Sequence, residues 1–263
     1  MITSDWICDG NSRIPMANEI PDHDVGAFLN INNPCAISEQ SISEFFPIGP
    51  SMSGYSTQLG DPWGVVGYVP NAVKIEAGTA GSCNDSGASC SLARPIQGTW
   101  SIEALGQTSF NFGDDLNHAH VQPTGQYHYH GIPEGFVDRL TKGTVMTLIA
   151  WTADGFPIYA RYGYQDAMDS NSEIVTIESS YQLKASPDAN RANISVYAIG
   201  TFTQDYEHLA GSGSDLDEHR HLGAYSGSRF RVICSDYGVS QHLHFNQGNW
   251  RLKPSLHGFR HAF

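Results

Sequence analysis

Short apolar runs broken by Gly, Pro, Asn and Asp extend through this chain, the pattern of short strands joined by turns. Residues 1–50 hold brief apolar pieces between turn residues such as Asn11, Pro15, Asn18, Pro21, Asp22 and Pro34, which predicts irregular chain with short strands. WGVVGYV (63–69) and AVKIEAG (72–78) predict two strands, the second half-buried by its period-two alternation. Residues 79–92 are small and polar and predict a loop, and QGTWSIEALGQTSFNFG (97–113) predicts two more strand-like runs. In TVMTLIAWTADGFPIYARYGY (144–164), two apolar runs flank Asp154-Gly155, a strong hairpin signal. Pro157 has no N–H to give a ladder, so the second strand starts there or lies at an edge. TVMTLIAW is long enough for a core strand. Further on, SEIVTIESSYQLK predicts two short strands and ISVYAIGTF (194–202) another. The expected fold is mainly β: a single large antiparallel β-sandwich- or barrel-like domain with long loops over residues 1–219. Residues 220–263 form an atypical tail, packed on or completing that domain.

Residues 114–131, DDLNHAHVQPTGQYHYHG, carry four histidines as two His-x-His pairs, His118/His120 and His128/His130. On a strand, residues i and i+2 face the same way. Pro123 suits the first central position of a type I turn, and Gly125 suits a following left-handed position. A three-residue Pro123-Thr124-Gly125 loop pairs Gln122 with Gln126, His120 with His128 and His118 with His130. All four imidazoles then share one face, and Ala119, Val121, Tyr127 and Tyr129 line the other. A two-residue Thr124-Gly125 loop shifts the register by one and separates the pairs.

Composition narrows the function classes. Twelve Tyr, 12 Phe and 5 Trp among 263 residues argue against disorder. The formal net charge is −13 and no basic run stands out, so phosphate neutralisation is missing and nucleic acid is not an expected partner. No stretch approaches 18 apolar residues, so no membrane span is expected. Of five cysteines, Cys83 and Cys90 bracket NDSGAS, a loop that a disulfide closes; Cys8 and Cys35 are candidates for a second bridge, leaving Cys234 over. Disulfides imply an oxidising compartment, extracellular or periplasmic. MITSDWICDG has neither a charged n-region nor an apolar h-region, so a secretory signal is expected to have been removed.

Four neutral imidazoles on one sheet face form a nitrogen site suited to copper or zinc. His118, His120, His128 and His130 are the candidate metal ligands, with Asp114 and Asp115 as acceptors that fix the imidazole tautomers. The alternative is a hydrogen-bonded His/Tyr cluster without metal, in a module that binds extracellular carbohydrate or another protein. A metal-dependent hydrolase or oxidase is a third reading, and no catalytic residue is identified. His23, between two carboxylates in IPDHDVG, reads as a hydrogen-bonded loop residue. DYEHLAGSGSDLDEH (205–219) either brings Asp205, Asp215, Asp217, Glu218 and His219 near a site or is an exposed acidic loop. No G-x-S-x-G, Walker loop, G-x-G-x-x-G fingerprint in context or H-E-x-x-H occurs.

HAHVQPTGQYHYHGIPEG resembles the YHYH-domain proteins, named for the motif that stands here as Tyr127-His128-Tyr129-His130. The opening tryptophan segment, NSRIPMANEIPDHDVGAF, ADGFPIYARYG and GTFTQDYEHLAGSGSDLDEH are similar to that family as well, so the likeness covers about residues 5–219. The resemblance implies a secreted or surface protein and no established activity. His128 and His130 match the motif, His118 or His120 matches an upstream histidine, and His23 matches one near the N-terminus. Asp154 and Gly155 match a DGFPIYG-like segment in which Ala160 replaces the usual Gly. After His219 the sequence departs from the family pattern.

Overall fold

β1 (Ser4–Cys8) and β2 (Ser12–Ala17) pair antiparallel from Ser4↔Ala17 to Cys8↔Arg13. Their turn is held by Asp9, whose carboxylate accepts from the Asn11 and Ser12 amides at 3.0 and 2.8 Å. β3 (Ile42–Ser43) and β4 (Phe46–Pro47) both pair with β2 and complete a four-stranded sheet. The computed structural model describes residues 1–50, 64–76, 78–166 and 169–214, with the backbone of 223–225 and 228–233. Trp6 packs on Phe46, Phe46 packs on Tyr68, and the Trp6 indole donates to the Pro70 carbonyl at 2.8 Å. These contacts clamp the N-terminal sheet over the main one.

The main sheet starts with β5 (Val65–Tyr68) and β6 (Lys74–Glu76). The chain then leaves it for a small three-stranded sheet of β7 (Ser82–Cys83), β8 (Cys90–Ser91) and β9 (Trp100–Ser101). It returns as β10 (Ala119–Val121) and β11 (Tyr127–Tyr129). The short helix α1 (Glu134–Leu140) leads to the β12 (Thr147–Thr152) and β13 (Pro157–Ala160) hairpin. Two peripheral ribbons follow: β14 (Tyr162–Tyr164) with β15 (Ile174–Thr176), and β16 (Tyr181–Leu183) with β17 (Tyr206–His208). β18 (Gly223–Tyr225) and β19 (Ser228–Ile233) extend the main sheet, giving the order β10-β11-β6-β5-β12-β13-β19-β18.

The fold is thus mainly β, with several antiparallel sheets and, among the described residues, no closed barrel. The large sheet is mixed, because β11 runs parallel to β6 and β13 parallel to β19. One of its faces carries the core: Val66, Val73, Ile75, Ala119, Val121, Tyr127, Tyr129, Ile149, Ala150 and Ile158, with Ile132 and Phe136 from the α1 region. Burying each large side chain of this kind stabilises the fold by about 1.5–3 kcal/mol. The β12–β13 hairpin turns at Gly155 (φ +87°), and β13 begins at Pro157, as the missing N–H predicts.

Four expectations are corrected. β6 is not half-buried: Val73 and Ile75 face the core, but Lys74 and Glu76 on its other face are also buried, because the N-terminal segment at Glu19 covers them. ISVYAIGTF is a series of turns, in which Asn193 accepts from the Ser195 amide and the Val196 and Tyr197 amides return to the Asn193 carbonyl; Ile194 and Val196 are exposed. The run after Ile102 forms no strand up to Gly113. Cys83 and Cys90 are disulfide-bonded as expected, whereas Cys8 and Cys35 are free. Cys8 ends an exposed strand opposite Arg13, and Cys35 packs against the main core. Trp63, residues 215–219, Cys234 and the histidines at 221, 242, 244, 257 and 261 lie outside the described residues.

Candidate metal centre

The loop at 123–125 has the three-residue form. The Gln122 amide donates to the Gln126 carbonyl and the Gly125 amide to the Gln122 carbonyl, both at 2.8 Å, with Gly125 at φ +84°. A side chain at Gly125 would also meet Ser38 Oγ, so glycine satisfies both the dihedral and the close approach. His120 therefore lies opposite His128, and Ala119 and Val121 lie opposite Tyr129 and Tyr127. The His130 amide donates to the His118 carbonyl at 2.7 Å, one step beyond the ladder.

This register gathers His120, His128 and His130 into a triangle. Their ring centroids are 4.5, 4.8 and 4.7 Å apart, and one ligand nitrogen from each lies within 4.8 Å of the others. His118 stays outside it. A turn over Asp115–His118, closed by the His118 amide on the Asp115 carbonyl at 3.1 Å, leaves His118 at φ +55°. That left-handed backbone breaks the strand alternation, and His118 Nδ1 pairs instead with the Ile132 carbonyl at 3.0 Å.

Each ring of the triangle is oriented through Nδ1. His120 Nδ1 lies 2.5 Å from Asp114 Oδ1, His130 Nδ1 lies 3.2 Å from the Glu76 carbonyl, and His128 Nδ1 lies 3.4 Å from the Gln126 carbonyl. The Asp114 carboxylate and the Glu76 carbonyl can only accept, so Nδ1 of His120 and of His130 carries a proton, whereas His128 has oxygen acceptors at both ring nitrogens, with Glu76 Oε2 3.5 Å from its Nε2. His120 Nε2 and His130 Nε2 lie 3.4 Å apart and face one another. Phe112 stacks on His120 at 5.7 Å. Burial, followed by the neighbouring His120, holds the His128 pKa well below the usual imidazole range and lowers that of His130 to about 3. Both are neutral at pH 7, the form that ligates metals.

Beside the triangle lies a buried polar network. Lys74 Nζ contacts Glu76 Oε1 and donates to Gln122 Oε1 at 3.2 Å, and Gln122 Nε2 donates to both Glu76 oxygens at 3.1 and 3.0 Å. Gln126 Nε2 donates to Glu19 Oε2 at 2.5 Å. Burial raises the Glu76 pKa and pushes that of Glu19 up to about 7. The sequence reading missed Glu76, Lys74 and Glu19, which lie far from the motif along the chain. Gln122 and Gln126 were legible as the pair flanking the turn on the histidine face.

The tyrosines of the motif do different work on the opposite face. Tyr127 donates to Asp115 Oδ2 at 2.8 Å, and Asp115 Oδ2 also accepts from the Gly26 amide at 2.9 Å. Tyr129 Oη lies 2.5 Å from His23 Nε2 and accepts from Asn71 Nδ2 at 3.1 Å. Asp114 therefore orients an imidazole, whereas Asp115 joins Tyr127 to the 22–26 loop at Gly26. His23 is a hydrogen-bonded loop residue, as expected. It lines a cleft of about 760 Å³ with Asp24, Leu116, Asn117, Glu134 and Arg139, and none of the three histidines reaches that cleft. Asp205 sits elsewhere, buried against Arg191 at 2.5 Å from Nε, and is structural.

The fold and site define a mainly β protein with a buried three-histidine cluster on one face of a β-hairpin and two buried tyrosines on the other. The family model described as "YHYH protein" matches residues 45–225, which is over half of the chain. The chain belongs to that family. No curated protein and no solved structure matches it.

Proposed function

We propose that this protein binds a transition metal, copper or zinc, through His120, His128 and His130. The observation that carries this reading is the convergence of three imidazoles whose Nδ1 atoms are each committed to an oxygen acceptor. The Nε2 atoms of His120 and His130 face one another across 3.4 Å, where a cation could take a lone pair from each. Zn–N bonds of about 2.0–2.1 Å set tetrahedral nitrogen ligands about 3.3 Å apart. The 3.4 Å separation of His120 Nε2 and His130 Nε2 already matches that spacing. His128 and His130 are almost fully buried, which favours a structural or retained ion over one that meets a substrate. An oxidase that uses Tyr127 or Tyr129 at the metal is disfavoured, since both tyrosines project into the core on the opposite face.

Protein purified without a histidine tag and reconstituted with zinc or copper is expected to hold about one equivalent per chain. His128→Gln/His130→Gln protein is expected to lose it. Less than about a tenth of an equivalent in the wild type would overturn the proposal.

We infer an extracellular or periplasmic setting. The Cys83–Cys90 disulfide supports it, and no helix among the described residues is long and apolar enough to cross a membrane. Fractionation of the native source with thiol labelling tests this; a cytosolic protein with both thiols reduced would overturn it. The alternative of a carbohydrate- or protein-binding module loses its aromatic surface at the motif, because both tyrosines are buried.

A further inference from the structure

Glu76 is a buried carboxylate beside the triangle, and an inference about it rests on the three-histidine reading just given. β6 reaches the site because it pairs in parallel with β11, which sets Lys74 opposite His128 and sends Lys74 and Glu76 to the histidine face. Glu76 Oε2 lies 3.5 Å from His128 Nε2, while its other oxygen is taken by the Lys74 ammonium. Gln122 bonds both Glu76 oxygens, and Gln122 Oε1 also accepts from Lys74. Both charges of the Lys74–Glu76 pair are desolvated, and buried pairs of that kind are often no more stable than an apolar replacement. On this face Glu19, Glu76 and Asp114 set three carboxyl groups against one described ammonium, that of Lys74. A divalent ion among the imidazoles has an anionic partner at Glu76, whose Oε2 lies beside His128 Nε2.

The geometry points to Glu76 as the fourth, anionic ligand of the metal, held at the His128 edge of the triangle by Lys74 and Gln122 and exchanged from the ammonium onto the ion. Three imidazoles and one carboxylate make a closed set of four nitrogen and oxygen ligands, the coordination number of a structural zinc site. The added hard oxygen disfavours Cu(I), which prefers sulfur donors. Lys74 is then a competitor for Glu76. Removing it strengthens metal binding if Glu76 is a ligand. If Glu76 only props His128, removing Lys74 gives no gain.

The test is competition titration of Zn(II) and the visible spectrum of the Co(II)-loaded full chain, for wild type, Glu76→Gln and Lys74→Met. Glu76→Gln is expected to weaken zinc at least about tenfold and to change the Co(II) spectrum; Lys74→Met is expected to tighten zinc severalfold. Wild-type binding with Zn(II) affinity and Co(II) spectrum unchanged in Glu76→Gln overturns the assignment of Glu76 and leaves the three-histidine reading in place. A wild type that binds no metal overturns both. Should Glu76→Gln fail to fold, Lys74→Met decides: tightening supports Glu76 as ligand, and unchanged or weaker binding overturns it.

Discussion

Asp114 offers the sharpest separation of a metal role from a merely structural one. Its Oδ1 lies 2.5 Å from His120 Nδ1, with the two side chains 19% and 12% exposed. Asp114→Ala removes the acceptor that keeps the His120 proton on Nδ1, and the ring is then free to rotate or change tautomer. Losing an outer partner of a metal-ligating histidine typically costs 10–100-fold in affinity, about 1.4–2.8 kcal/mol. The metal-free fold loses less. The hydrogen bond is partly solvated and no buried charge is stranded, so the expected cost is about 1 kcal/mol. Zinc affinity measured against a chromophoric chelator, and urea unfolding of the metal-free protein, read the two terms separately. Asp114→Asn keeps an acceptor oxygen and is expected to fall between wild type and Asp114→Ala. Zinc affinity within twofold of wild type in Asp114→Ala, alongside a clear loss of stability, would refute the assignment of Asp114 to a metal-bound His120.

Other perturbations address the remaining links. Tyr129→Phe leaves His23 and Asn71 without their shared partner and is expected to cost about 1–3 kcal/mol in urea unfolding, with metal affinity little changed. Cys83→Ser/Cys90→Ser opens a short loop, with a sequence separation of 7, and is expected to destabilise by about 2 kcal/mol, measured by thermal unfolding against the oxidised wild type. The His130 pKa is lowered in the fold to about 3, so the unfolded chain binds more protons between that value and about 6.5, and stability falls as pH drops through this window. Glu19, raised to about 7, acts with the opposite sign between about 7 and 4.5, so the His130 contribution is read as the difference in urea stability between metal-free wild type and His130→Gln across that range. Equal pH slopes in the two proteins would contradict a neutral, buried His130.

What the sequence disclosed was local, and what it concealed was either distant or hidden in a single dihedral. Pro123-Thr124-Gly125 fixes the hairpin register through turn chemistry alone, so the opposition of His120 and His128 was legible. So were the Asp154-Gly155 hairpin and the start of β13 at Pro157. His118 fell outside the triangle because a turn through Asp115–His118 gives it a positive φ, and period-two counting assumes extended backbone at every step. Glu76 stayed hidden because parallel pairing of β6 with β11 joins segments about 50 residues apart, with no turn to announce it. AVKIEAG alternates as a half-solvated strand does. Its polar face is buried because Glu19 and Gln122 meet Lys74 and Glu76 there with hydrogen-bonding groups in place of water, and Gln126 in turn holds Glu19. ISVYAIGTF has strand-like composition but among the described residues pairs only at its end, where Phe202 bridges Ile102, and the Asn193 turn claims the backbone at its start.

The alternation of Tyr and His in the motif couples the site to the fold. A strand that turns His128 and His130 to one face must turn Tyr127 and Tyr129 to the other, and a slip of one residue exchanges them. Here the tyrosine face is fully buried in the main core, and its hydroxyls are tied to Asp115, His23 and Asn71. A slip would place two imidazoles in an apolar core and expel two large aromatic rings, at a cost of several kcal/mol. The tyrosines thus fix the register, and the register fixes the histidine triangle before any ion arrives. A metal bound there, as proposed, would cost little ordering entropy, unlike one in small metal domains that fold only around their ion. The site's metal-free form is held by the core on the opposite face of the same strands, so an ion that binds there raises stability only by mass action above an already folded baseline.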